Sequence, residues 1–182
     1  MKPTCLPFAS KPPPATRRQR GFTAIELMVT IAVMAILMAL AVPAMQDGLL
    51  GSKLGAQANS LVASVTLARS EAIKRNARTK LCIPDSTFAA CAASSTAGWE
   101  QGWIVISGTT VIQRQQAAPG GFSIAESTGA VSIDFMPDIV RATQNIWKIC
   151  RAAPSVGNQE RVVTVSITGR PTIARTTNGV CP

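Results

Sequence analysis

Residues Gly21 to Met45 read GFTAIELMVTIAVMAILMALAVPAM, and after Glu26 no side chain in this run is charged. From Leu27 to Met45 the length is close to the roughly 20 apolar residues that a membrane-spanning helix needs. The chain therefore starts with a segment that can cross a bilayer, and any folded domain follows it. Glu26 is the anomaly. An acidic side chain in the apolar part of a bilayer is unfavourable by roughly 2.5 to 3.5 kcal/mol on insertion scales, so a retained one needs a partner. Upstream, Lys2, Lys11, Arg17, Arg18 and Arg20 stand without any acidic residue. That bias keeps the N-terminus cytoplasmic and sends everything after Met45 outside.

Three readings of this start compete. An ordinary anchor tethers the chain but leaves Glu26 unexplained. A secretory signal peptide has support from the charged Arg17 to Arg20 region and from Ala39-Leu40-Ala41, which has the small residues of a cleavage site. The Arg17-Arg18 pair even suggests a twin-arginine signal. The apolar run is, however, longer than the usual 7 to 15 residues of such a signal. The third reading rests on Gly21-Phe22-Thr23-Ala24-Ile25-Glu26-Leu27, which resembles the class III signal of type IV prepilins and type II secretion pseudopilins. The resemblance implies that a prepilin peptidase cuts after Gly21 and methylates Phe22. It also implies that the Glu26 carboxylate pairs with the free amine of a neighbouring subunit, each charge relieving the burial of the other. Pro43 stands where pilins commonly carry a helix-kinking proline.

Removing the leader also changes the charge. Of 18 Lys and Arg, five leave with residues 1–21, so 13 face 9 acidic residues and the formal +9 falls to +4. Most of the basicity belongs to targeting. The chain has no His, so a Ser-His or Cys-His nucleophile pair and the common zinc sites cannot be built. No enzyme machinery, metal site or cofactor is expected. Cys5 leaves with the leader, and Cys82, Cys91, Cys150 and Cys181 remain. Outside the cytoplasm an even count favours disulfides, and four cysteines allow three pairings. The spacing favours Cys82 with Cys91 and Cys150 with Cys181; the alternative is four free buried thiols.

Beyond the span, Leu50, Leu54, Ala58, Leu61, Val65, Ala68 and Ala72 recur in steps of three and four, one face of a helix. A helix from Phe22 to about Arg75 is expected, with Gly48, Gly51 and Gly55 near Pro43 as a place where it bends or melts. Past Asn76 the period falls towards two. Strands are expected at 79–83, 103–106, 110–113, 131–135, 146–150 and 161–167, with 172–175 as an edge strand or a tail. The fold class is α+β, a pilin fold with a long N-terminal helix packed on an antiparallel sheet. Its parts are a leader at 1–21, a transmembrane and assembly helix at 22–45, an amphipathic continuation at 46–76 and a β-rich head at 77–182.

Within the pilin superfamily, Ala68-Arg69-Ser70-Glu71-Ala72-Ile73-Lys74-Arg75, Gly102-Trp103-Ile104-Val105 and Thr168-Gly169-Arg170 resemble the GspH/FimT family. That resemblance implies a minor subunit in the bacterial inner membrane, its head in the periplasm, assembling with other pilins into a type IV pilus. The alternative it leaves is a GspH-type pseudopilin of type II secretion. The last quarter is basic, with Arg141, Lys148, Arg151, Arg161, Arg170 and Arg175 against Glu160 alone. FimT-like proteins bind DNA through a G-R-x-R motif, which Gly169-Arg170 matches in part, Arg175 being the next arginine. Arg170 and Arg175, helped by Arg141, Lys148 and Arg151, are the candidate contacts to double-stranded DNA; the alternative is a solvated charged face. Trp99, Trp103 and Trp147 read as core rather than as base-stacking platforms. Asp134 and Asp138 flank Met136-Pro137, which reads as a turn after a strand, and two carboxylates alone make a weak metal site.

Overall fold

The computed structural model describes residues 21–94, 98–138, 144–151, 160–176 and 181. Residues 1–20 of the expected leader, all of it but Gly21, and Arg141 lie outside these residues. The chain divides into two compact units, Met1–Ala41 and Val42–Pro182. Helix α1 is assigned over Ala24–Arg75. Its backbone stays helical at Pro43, Gly48, Gly51 and Gly55, so the helix does not melt there. The apolar stretch Ala24–Val42 has a mean hydropathy of 2.6 and none of it is buried.

Among the described residues the second unit holds eight strands: β1 (Thr79–Cys82), β2 (Trp103–Ser107), β3 (Thr110–Gln115), β4 (Phe122–Glu126), β5 (Ser132–Phe135), β6 (Asn145–Arg151), β7 (Glu160–Val165) and β8 (Pro171–Thr176). They form two four-stranded sheets, ordered β3-β2-β1-β5 and β4-β6-β7-β8. Every pairing is antiparallel. The helical face expected from the spacing is the core: Leu54, Ala58, Leu61, Val65, Ala68 and Ala72 are all 0 % exposed. They pack with Leu81, Trp103, Val105 and Ile133 of one sheet and with Ile124, Trp147, Ile149, Val163 and Val165 of the other.

Four consecutive residues of β2, Trp103 to Ile106, are buried, because the strand has apolar cover on both faces. Trp103 and Val105 join the helix-facing core. Ile104 and Ile106 form a second cluster with Cys82, roofed by Phe88, Cys91 and Val111. That roof is tied down by the Cys82–Cys91 disulfide. Asp85 shapes it further, its Oδ1 accepting from the backbone N–H of Thr87 and Ala89 at 3.1 Å each. The second disulfide joins Cys150 on β6 to Cys181, with Cα atoms 5.6 Å apart.

β4 was not among the expected strands. Phe122-Ser123-Ile124-Ala125-Glu126 carries two strong strand formers among small residues. Its alternation shows only in burial, with Phe122, Ile124 and Glu126 inside. Glu126 is a buried carboxylate. Burial by itself would raise its pKa, but hydrogen bonds from Thr128 and Asn145 and from the backbone N–H of Ala130 and Thr128 outweigh it, holding it below the usual carboxylate value. β8 is formed, settling the edge-or-tail alternative in favour of an edge.

Candidate assembly motif and basic face

The N-terminal motif builds a helix start. Gly21, Phe22 and Thr23 are non-helical and exposed, and α1 begins at Ala24. Thr23 is thus the residue before the first helical position and Glu26 lies three further on. Their bonds are reciprocal: the Glu26 N–H donates to Thr23 Oγ1 at 3.3 Å, while Glu26 Oε2 accepts from the Thr23 N–H at 3.1 Å and from Thr23 Oγ1 at 3.0 Å. This is a capping box, two orphan donors of a helix end satisfied by each other's side chains. The sequence reading missed it, although the spacing Thr-x-x-Glu was visible. Oε1 of Glu26 has no hydrogen-bond partner among the described residues, so one acceptor oxygen of the carboxylate stays open.

The motif residues that carry the family resemblance turn out to hold the head together. Trp103 Nε1 donates to Ser64 Oγ at 2.8 Å, and Ser64 in turn donates to the Ser60 carbonyl at 2.9 Å, tying β2 to α1. Gly102 has φ 98°, and a Cβ there would collide with the Gln115 carbonyl. Glu71 forms ion pairs with Arg75 at 2.6 Å and Lys74 at 3.5 Å. The Arg75 hydrogen bond is the main reason its pKa lies below the usual value. Gly169 has φ 75° and closes the β7–β8 hairpin, its N–H donating to the Ser166 carbonyl at 2.8 Å. Only glycine adopts that conformation cheaply.

The candidate basic residues that the structure describes, Arg170, Arg175, Lys148 and Arg151, are not gathered on one face. Arg170 is exposed just before β8, its N–H donating to Ser166 Oγ at 3.1 Å. Arg175 is exposed near the other end of the same strand. Lys148 is ion-paired with Glu160 at 3.4 Å. The Arg151 guanidinium lies 5.4 Å from the centre of the Phe122 ring, a cation–π contact. Lys148 and Arg151 point to opposite faces of β6, being three positions apart. Arg175 is instead opposite Arg161 in the register. Arg161 was counted as basic in the sequence but not singled out, and only its strand partner reveals it.

Trp99, Trp103 and Trp147 are at most 2 % exposed, and Trp99 meets Trp147 edge-to-face at 5.4 Å. They are core. Asp134 is ion-paired with Arg78 at 3.7 Å and Lys80 at 4.0 Å.

The family model "Type II transport protein GspH" matches residues 57–169. A model of the prokaryotic N-terminal methylation motif matches residues 16–42. No curated protein matches the chain significantly. The type IV minor pilin FimU of Pseudomonas aeruginosa has a similar fold: 17 % identity, 68 % of this chain and 89 % of that one, TM-score 0.53. A second crystal form of FimU aligns over 66 % of this chain and 92 % of that one at 17 % identity, TM-score 0.49. The methylation motif and the apolar helix mark an inner-membrane-anchored subunit with a globular head, one that assembles with other pilin subunits. With the GspH model covering more than half of its residues, the chain belongs to the GspH family and is a minor pilin or pseudopilin of a type IV pilus or type II secretion system.

Proposed function

We propose that the chain is a minor pilin of a type IV pilus. A prepilin peptidase cleaves after Gly21 and methylates Phe22, and Glu26 then docks the subunit onto the N-terminal amine of a neighbour. The observation that carries this reading is the Glu26 carboxylate, which caps its own helix through Oε2 and keeps Oε1 open. In a low-dielectric medium an acceptor of that kind draws in a cation far more strongly than it would in water. The fold is similar to that of the minor pilin FimU.

Deleting the gene is expected to lower surface piliation, and sheared filaments should contain the chain as a substoichiometric component. Unchanged pili together with loss of protein secretion would reassign it to a pseudopilus.

A second reading, that the head binds double-stranded DNA during uptake for natural transformation, is favoured by Arg170 and Arg175. Both are exposed and neither has a carboxylate partner among the described residues. Lys148, Arg151 and Arg141 would add long-range attraction. Affinity should fall with salt by a log–log slope of about 0.9 per neutralised phosphate, and Arg170→Ala or Arg175→Ala should each lower that slope by about one unit. Anisotropy titrations of the processed chain in detergent check this. Equal binding by parent and both variants removes these arginines from the interface.

A further inference from the structure

A recess of about 720 Å³ opens within the Val42–Pro182 unit, with Gly48, Gly51 and Gly55 on one wall and Arg161, Ile173 and Arg175 on the other. Arg161 and Arg175 are directly opposed in the antiparallel register, so both side chains leave the same face of the sheet. Like charges so placed are destabilising. Arg161 is only 6 % exposed. Its guanidinium donates to two backbone carbonyls, from Nη1 to Glu160 at 3.2 Å and from Nη2 to Gly51 at 3.4 Å. Neither arginine has a carboxylate partner among the described residues. Glu160, one residue before Arg161, points to the other face and is taken by Lys148. Burial, and then the charge of Arg175, hold Arg161 below the ordinary arginine value. A buried cation beside a second cation is unfavourable unless an anion completes the arrangement.

We propose that this recess binds a phosphate group between Arg161 and Arg175. The planar guanidinium fork suits a tetrahedral oxyanion, which it can meet with two parallel hydrogen bonds. Arg161 has five N–H donors and spends two of its terminal nitrogens on carbonyls, so donors remain for a ligand. The helical wall is open at its glycines: a Cβ added at Gly48 or Gly55 would meet nothing within 4 Å, while Ser52, Ala56 and Asn59 line the rest of it. Free phosphate and the headgroup of an anionic lipid share the required chemistry. Gly48 follows Val42, the end of the apolar stretch, by six residues of the same helix, a rise of about 9 Å. A lipid phosphate is therefore within reach of the recess. The inference needs Arg161 and not Arg170, which separates it from the DNA reading, and it stands whether the filament is a pilus or a pseudopilus.

The test is thermal unfolding of the full processed chain in neutral detergent at constant ionic strength. Inorganic phosphate replaces chloride in one arm, and soluble short-chain phosphatidylglycerol replaces phosphatidylcholine of the same chain length in the other. At about 100 times Kd the midpoint is expected to rise by roughly 4 to 10 °C. Arg161→Gln and Gly55→Leu should abolish the rise, and Arg170→Ala should keep it. Gly55→Leu guards against misfolding, because leucine favours the helix over glycine while filling the recess. A rise with inorganic phosphate assigns the free anion, and a rise with phosphatidylglycerol alone assigns the headgroup. The proposal is overturned by no rise in either arm, by an undiminished rise in Gly55→Leu, or by an Arg161-dependent rise that duplex DNA produces and phosphate does not.

Discussion

Glu26→Gln is expected to leave cleavage after Gly21 and methylation of Phe22 intact while cutting filament incorporation at least tenfold. Glutamine at the third helical position still accepts from the Thr23 N–H, so the capping box survives. What the substitution removes is the negative charge. Taking one partner from a buried ion pair costs about 3 to 5 kcal/mol, and tenfold corresponds to about 1.4 kcal/mol. Even a partly hydrated pair leaves a large defect. Glu26→Ala loses the cap as well and should incorporate no better than Glu26→Gln. The measurements are mass spectrometry of the membrane fraction, looking for N-methylated Phe22, and immunoblots of sheared filaments. Parental incorporation of Glu26→Gln beside a failing Glu26→Ala would reduce Glu26 to a helix cap and end the assembly role.

Removing the bridge between Cys150 and Cys181 by double serine substitution is expected to lower stability more than removing Cys82–Cys91. The first closes a loop with a sequence separation of 31, the second one of 9. Loop-closure entropy then puts the losses at about 3.5 to 4 and about 2.5 kcal/mol. For a unit of this size the larger loss is a fall in melting midpoint of roughly 7 to 15 °C. The shorter bridge also roofs the Ile104 and Ile106 cluster, so its loss should expose apolar surface as well. Calorimetry of the processed chain with and without each pair checks the order. A smaller drop for Cys150–Cys181 than for Cys82–Cys91 would mean that the C-terminal end is held by packing rather than by its cross-link.

Whatever depends on neighbours along the chain is legible before any fold is known. The Gly21 to Leu27 motif, the uncharged run to Met45 and the helical face from Leu54 to Ala72 are local patterns, and burial of that face at 0 % exposure follows from its 3.6-residue period. Strands with β-branched runs, such as Arg161 to Val165, were legible for the same reason. Tertiary structure alone decided the rest. β4 was invisible because its small residues become a strand only when β6 supplies the hydrogen bonds. The four buried residues Trp103 to Ile106 needed two separate partners, the helix and the Cys82–Cys91 roof. Arg170 and Arg175 look like one basic cluster in sequence, yet the hairpin leaves one at its turn and sets the other against Arg161. Charges read along a chain add up to a sum; which of them face each other is set by strand register. Register depends on hydrogen bonds between residues far apart in sequence, which no local pattern records.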